Sequence, residues 1–237
     1  MKLFRPRVTF TLAIAVAFLT ATFASGVTAI GLADLSNKDA VAGLKEALTR
    51  GSQAAVQQLS AENGFFNRDA VRIPLPESLK KVEGVMRGLG MGKYADELVL
   101  RMNRAAEAAV PEAKALLVNA IRQMSVDDAK GILTGGNDSA TQYFRRTTAE
   151  PLGQKFLPIV KKSMARVKLA EKYDEFAEKG VRFGLVSKED ANLENYITRK
   201  SLDGLYLMMA EEEKKIRADP VGSASAIIRK VFGALGK

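Results

Sequence analysis

The stretch KYADELVLRMNRAAEAAVPEAKALLVNAIRQM, Lys93 to Met124, decides the fold class. Leu98, Met102, Ala105 and Ala109 recur at three- and four-residue intervals, the period of a helix with one buried face. Pro111 interrupts it, because proline lacks the amide proton and its ring abuts the preceding turn, so a kink or a split is expected there. The pattern resumes through Leu116, Leu117, Ala120, Ile121 and Met124. No part of it alternates apolar and polar residues as a half-buried strand would.

Outward from this stretch the same period recurs. A helix is predicted over about Asn37 to Leu59, with Ser36 and Asp39 as a capping box and Val41, Leu44, Leu48, Ala55 and Leu59 on one face. Ile73-Pro74-Leu75-Pro76 reads as extended, since each proline disfavours helix in the residue before it. A short helix carrying Leu79, Val82, Val85 and Met86 follows Pro76 and ends at Gly88, Gly90 and Gly92. Ser125 and Asp128 predict another capped helix, stopping at Gly135-Gly136. Asn137 or Asp138 opens a further helical stretch with Tyr143 and Phe144, which Pro151 and Pro158 are expected to interrupt. A segment from Ile159 to about Lys179 closes at Gly180. Ser187 to Leu193 reads as a turn or short helix, Thr198 to Arg217 as a helix ended by Asp219-Pro220, and Ser223 to Leu235 as the last helix. The expectation is an all-α, single-domain, bundle-like fold of about seven to ten helices over residues 35–233, without internal repeats.

Residues 1–29 read as a secretory signal. Lys2, Arg5 and Arg7 precede the apolar run Val8 to Leu19, and Val27-Thr28-Ala29 fits the small-residue cleavage rule, with Thr22-Phe23-Ala24 as an alternative cut. An uncleaved anchor is the rival reading, because no charge occurs from Val8 to Ala33. With no cysteine to lipidate, the chain is not expected to be a lipoprotein, and a periplasmic location follows if the source is Gram-negative. Removing the segment leaves 33 basic and 27 acidic residues, a net charge of +6 against +9 for the whole chain. A modest excess of this kind serves solubility or favours anionic partners.

Composition closes several chemical routes. The chain of 237 residues contains no cysteine and no histidine. Disulfides, thiolate nucleophiles, Ser-His-Asp triads and histidine-held zinc are therefore excluded. No cofactor and no metal is implied, and no nucleic acid is expected.

Several short motifs have plainer readings. Gly88-Leu89-Gly90-Met91-Gly92-Lys93 fails as a phosphate loop: Arg87 stands where the first glycine is needed and Tyr94 where Ser or Thr is needed. Ser78-Leu79-Lys80-Lys81 matches the serine acyl-enzyme tetrad without its companion motifs. Arg104 and Glu107, with Asn103, share a helix face flanked by Ala105, Ala106, Ala108 and Ala109, and could form a pocket or a buried structural network. Arg199 with Asp203, and Glu213 with Arg217, are spaced as surface ion pairs worth about 0.3–0.5 kcal/mol. The run Glu211 to Lys215 reads as a solvated face. The terminal helix places Arg229 and Lys230 opposite an apolar stripe that would dock on the core or lie on an anionic membrane.

Eight short strings occur in one order: Phe65 to Asn67, Ile73 to Pro76, Asn103 to Glu107, Asp128-Ala129 with Ile132-Leu133, Tyr143-Phe144, Phe156 to Val160, Ser201 to Leu205, and Val231-Phe232-Gly233. Together they resemble the bacterial domain-of-unknown-function family 4197, over about Leu35 to Gly233. The resemblance implies a helical, exported protein, commonly a lipoprotein or a signal-peptide protein, with no established activity. Two departures stand out: the lipidation cysteine of many relatives is missing, and Ser223-Ala224 replaces a frequent Arg-Thr pair.

The functional expectation is a non-enzymatic, periplasmic binding or envelope-associated protein whose partner is an anionic ligand or an envelope protein. Asn103, Arg104, Glu107, Tyr143, Arg199 and Asp203 are the candidate binding residues, with arginine engaging an anion, tyrosine giving a flat contact and the acids orienting the arginines. One alternative is a carboxylate-dependent hydrolase or lyase acting on envelope glycans, which requires a desolvated acid such as Glu107 in a cleft. The other is a peripheral membrane protein acting through its terminal helix.

Overall fold

In the computed structural model the chain is described over residues 37–90, 92–165, 167, 192–220 and 225–235. The segment read as a signal, Ser36 of the first predicted cap, residues 168–179 of the Ile159 to Lys179 stretch, most of the Ser187 to Leu193 turn and the Ser223-Ala224 departure lie outside the described residues. The described residues form eight α-helices and no strand: α1 (Asn37–Ser60), α2 (Glu77–Gly88), α3 (Gly92–Ala109), α4 (Ala113–Gln123), α5 (Val126–Thr134), α6 (Ser139–Met164), α7 (Leu193–Ala218) and α8 (Ala226–Leu235). The all-α expectation holds.

The split at Pro111 takes the form of a 3₁₀ turn, Val110–Glu112, between α3 and α4. Proline sits there at a helix start, where its missing N–H costs nothing. The predicted cap of α5 is complete: Ser125 Oγ accepts from Asp128 N at 3.0 Å, and Asp128 Oδ2 accepts from Ser125 N at 3.2 Å.

The prolines of α6 behave differently from expectation, since the helix runs unbroken through Pro151 and Pro158. Thr148, Leu152, Phe156, Val160 and Met164 form an unbroken buried line at four-residue spacing. Packing of that line against α3 and α7 outweighs an interior proline's cost of about 3 kcal/mol. Thr147 and Gln154, whose carbonyls lose their partners, are exposed and can turn to water. The helix α7 also begins before Thr198, because Asn192 Oδ1 accepts from Asn195 N at 2.9 Å and caps it there.

The core lies where α6 and α7 pack together, with α1 and α3 against them. Helix α8 closes the bundle against α1, burying Ile228, Val231 and Phe232. Gly43 permits that approach: a Cβ there would meet Val231 Cγ2 at 2.6 Å and the Ile227 carbonyl at 3.0 Å. The apolar stripe of the terminal helix is thus spent on the core, leaving Arg229 and Lys230 exposed on its outer side.

The connection from α1 to α2 is tucked in rather than looped out. Phe65, Val71, Ile73 and Leu75 are all buried. Phe65 fills a notch at Gly204 of α7, where a Cβ would approach its ring at 2.7 Å. Asn63 turns the chain with φ +64°, in the left-handed region that asparagine tolerates better than most residues.

Candidate functional site

Asn103, Arg104 and Glu107 come together on α3, where they bind the connection between α1 and α2. Asn103 Nδ2 donates to the Ile73 carbonyl at 2.9 Å, and its Oδ1 accepts from Ile73 N at 2.8 Å. The side chain thus pairs with one residue's main chain as a neighbouring strand would. Glu107 Oε1 accepts from the amides of Phe65 and Phe66 at 3.1 and 3.3 Å. Its Oε2 accepts from Arg104 Nη1 at 2.7 Å. Arg104 Nη2 then reaches Glu62 at 2.9 Å and Asn63 Oδ1 at 3.0 Å. Buried main-chain groups need such partners, so Asn103 and Glu107 substitute for secondary structure in the connection, and Arg104 ties Glu107 to the side chains of Glu62 and Asn63.

Glu213 and Arg217 form a second buried network, which corrects the reading of this pair as a surface ion pair and of Glu213 as part of a solvated face. Glu213 is 8 % exposed. Its carboxylate accepts from Ala140 N, Thr141 N and Thr141 Oγ1, each at 3.0 Å. These are amides of the first turn of α6, so an acid from α7 caps a helix start and faces its positive end. Arg217 donates to Glu213 from Nε at 3.1 Å and Nη2 at 2.9 Å, and Nη2 also reaches the Ile132 carbonyl at 2.8 Å. The adjoining cavity between α1, α6, α7 and α8 is ≈20 Å³, room for about one water molecule and not for a sugar ring.

The remaining candidates lie elsewhere. Asp203 accepts from Arg145 Nη1 at 3.1 Å. Arg145 also lies over the Tyr206 ring at 4.7 Å, joining α6 to α7. The Arg199 guanidinium lies 5.6 Å from the Tyr196 ring centre, at the edge of a shallow apolar depression between α6 and α7. The six positions therefore do not converge on one site.

Tyr143 borders a wide open groove. Two contiguous depressions, of ≈450 Å³ and ≈550 Å³, share Asp128, Tyr143 and Arg146 as a common wall. They form a groove over the ends of α4, α5 and α6. Tyr143 is held by its hydroxyl, which donates to the Ala120 carbonyl at 2.8 Å, and by edge-on contact with Phe144. Burial, then the Asp128 carboxylate, push its phenol above the usual range. Hydrogen bonds from Ser125, first its hydroxyl and then its amide, hold Asp128 below the usual carboxylate range. Arg146 is braced by Asp128 Oδ1 at 3.5 Å and by the Tyr143 ring at 5.6 Å. Its side chain remains 67 % exposed.

That trio combines an arginine, an orienting acid and a flat ring, the division of labour expected of the site, with Arg146 in the role assigned to Arg104 or Arg199. Amides of Asn119, Gln123 and Gln142 line the rest of the groove, and Asp127 and Asp138 stand at one end. Three carboxylates and one guanidinium line the groove, so its lining is net acidic. Arg146 and Asp128 are 18 residues apart and share no local spacing, so the sequence marks Asp128 as a helix cap and gives no sign that it meets Arg146.

Among the described residues no group of His, Cys, Asp and Glu could hold a metal ion, and no helix is long and apolar enough to cross a membrane. No curated protein and no solved structure matches the chain. The family model for a protein of unknown function, DUF4197, matches residues 34–233, and with its eight ordered strings and its helices inside that span the chain belongs to that family.

Proposed function

We propose that the chain is an exported, non-catalytic binding protein whose groove over α4, α5 and α6 takes a short extended peptide carrying both charges. The observation that carries this reading is the lining of the groove. Asn119, Gln123 and Gln142 line it with side-chain amides, groups that can donate and accept as a peptide bond does, with Gln142 Nε2 also donating to Asp138 Oδ2 at 3.0 Å. Arg146 offers its guanidinium to one carboxylate. Asp127 and Asp138 favour a cation at the other end, and together with Asp128 they make a purely anionic ligand a poor match. The buried acids Glu107 and Glu213 are occupied by main-chain amides and arginines, so the folded chain uses them as structural ties.

Nuclear magnetic resonance of the ¹⁵N-labelled protein tests the proposal. The peptide Ala-Lys-Ala-Glu-Ala should shift the side-chain amide signals of Asn119, Gln123 and Gln142 in a saturable way. Its all-lysine and all-glutamate analogues should bind more weakly. Absence of saturable shifts at these amides, or tightest binding by the all-glutamate peptide, would reject it.

A further inference from the structure

The sequence contains one Asn-Gly pair, Asn63-Gly64, where α1 gives way to the connection. Such a pair carries its own chemistry. Glycine has no side chain to crowd its amide nitrogen, so that nitrogen can attack the asparagine Cγ. A succinimide closes, ammonia leaves, and water opens the ring to aspartate or isoaspartate. Attack brings Gly64 N over Asn63 Cγ, which requires rotation about the bond from Asn63 Cα to its carbonyl carbon.

In the fold each participating group is held. Gly64 N donates to the Ala61 carbonyl at 2.9 Å, and the Asn63 carbonyl accepts from Asn67 N at 3.1 Å. The rotation breaks both bonds. Gly64 is buried against the end of α1, where a Cβ would meet the Leu59 carbonyl at 2.6 Å. Asn63 Oδ1 accepts from Arg104 Nη2 at 3.0 Å, and Glu62 and Glu107 hold that guanidinium in turn. Asn63 itself is half-buried, so water reaches it once the turn opens.

We propose that Asn63 is a latent modification site, which the Arg104 clamp keeps as asparagine and which local opening of the connection converts. The bond from Gly64 N to Asn63 Cγ forms as the bond from Cγ to Nδ2 breaks. The Gly64 amide proton leaves with Nδ2 as ammonia, and one water hydrolyses the imide. The two products differ on reclosure. Aspartate places a carboxylate oxygen where the amide oxygen was, so its bond from Arg104 becomes charge-assisted on both sides. Isoaspartate inserts a carbon into the main chain beside Gly64, where the end of α1 leaves no room for even a Cβ. The clamp therefore protects the connection chemically as well as mechanically. The site is separate from the peptide groove and does not depend on it.

Timed incubation in mildly alkaline buffer, followed by peptide mass spectrometry that resolves Asn, Asp and isoaspartate at position 63, tests this. The unfolded parent in urea should convert fastest and the folded parent slowest. Folded Arg104→Ala should convert about tenfold faster than the folded parent, the weight of one hydrogen bond to a charged group. Arg104→Gln replaces it if the alanine variant does not fold. Glu213→Ala, whose lost contacts lie on α6 and α7, should convert at the parent rate, which separates release of the clamp from a general loss of stability. Asn63→Asp should melt at or above the parent temperature at neutral pH. Conversion of the folded parent as fast as in urea overturns the site. A folded Arg104 variant that converts no faster than the parent, or no faster than Glu213→Ala, overturns the clamp. A lower melting temperature for Asn63→Asp overturns the accommodation of aspartate.

Discussion

Glu213→Ala separates two physical pictures of the same residue. As a surface acid paired with Arg217 one turn away, it would contribute about 0.3–0.5 kcal/mol. In the fold its carboxylate accepts from two amides of the first turn of α6, from Thr141 Oγ1 and twice from Arg217. Truncation leaves both amides without that partner and Arg217, whose side chain is 13 % exposed, without its counter-charge. Breaking a buried pair typically costs about 3–5 kcal/mol. The partial exposure of Arg217 and its remaining bonds to the Ile132 carbonyl and Ser139 Oγ place the expectation near the lower end, at about 3 kcal/mol. For a domain of this size that lowers the melting temperature by roughly 6–12 °C. Urea unfolding followed by far-ultraviolet circular dichroism reads the change as a shifted midpoint at constant slope. Arg217→Ala and the double variant complete a thermodynamic cycle, whose coupling should exceed about 1 kcal/mol because the two side chains share one network. A loss below about 0.5 kcal/mol for Glu213→Ala would refute the buried-cap reasoning.

Two further outcomes follow from other contacts, and a third from the signal-like segment. Tyr206 is buried and its phenol is pushed up by that burial, so the folded state favours the neutral form: its contribution is fully present below the unfolded tyrosine value of about 10 and is lost as pH rises above it. Tyr206→Phe should therefore show a shallower alkaline decline in urea midpoint above pH ~10 than the parent; an identical slope contradicts this. Gly43→Ala places a methyl 2.6 Å from Val231 Cγ2 and should cost about 1–3 kcal/mol by thermal melting, in the range of overpacked cores. If residues 1–29 are removed on export, Edman sequencing of protein recovered from its source should begin at Ile30, whereas a Met1 start would favour the retained anchor.

Much of the fold was legible because it rests on local chemistry. The Ser125–Asp128 cap, the Pro111 break and the end of α1 depend on neighbours in sequence, and each appeared where spacing placed it. The uninterrupted α6 was not legible, because its prolines carry a local penalty and its compensation comes from contacts with α3 and α7. The burial of Glu213 left one trace. Ile197, Ser201, Leu205, Met209 and Glu213 fall at four-residue steps along one buried line, so the acid continues a core stripe, a pattern that a run of three glutamates concealed. Asn103, Arg104 and Glu107 were legible as a group with a shared face, but their partners, Ile73 and the Phe65 and Phe66 amides, lie 30 to 42 residues away. The groove at Tyr143 was half-visible: the tyrosine was singled out, while Arg146 and Asp128 meet only through tertiary packing.

In the proposed function ligand recognition belongs to Arg146, while Arg104 ties down the connection between α1 and α2. Titration calorimetry of Ala-Lys-Ala-Glu-Ala into Arg146→Ala and Arg104→Ala, each first shown to be folded by circular dichroism, tests it directly. Arg146→Ala should lose at least tenfold in affinity, about 1.4 kcal/mol, with unchanged stability, and Arg104→Ala should be less stable but bind as the parent does. Binding lost in folded Arg104→Ala and retained in Arg146→Ala would contradict it.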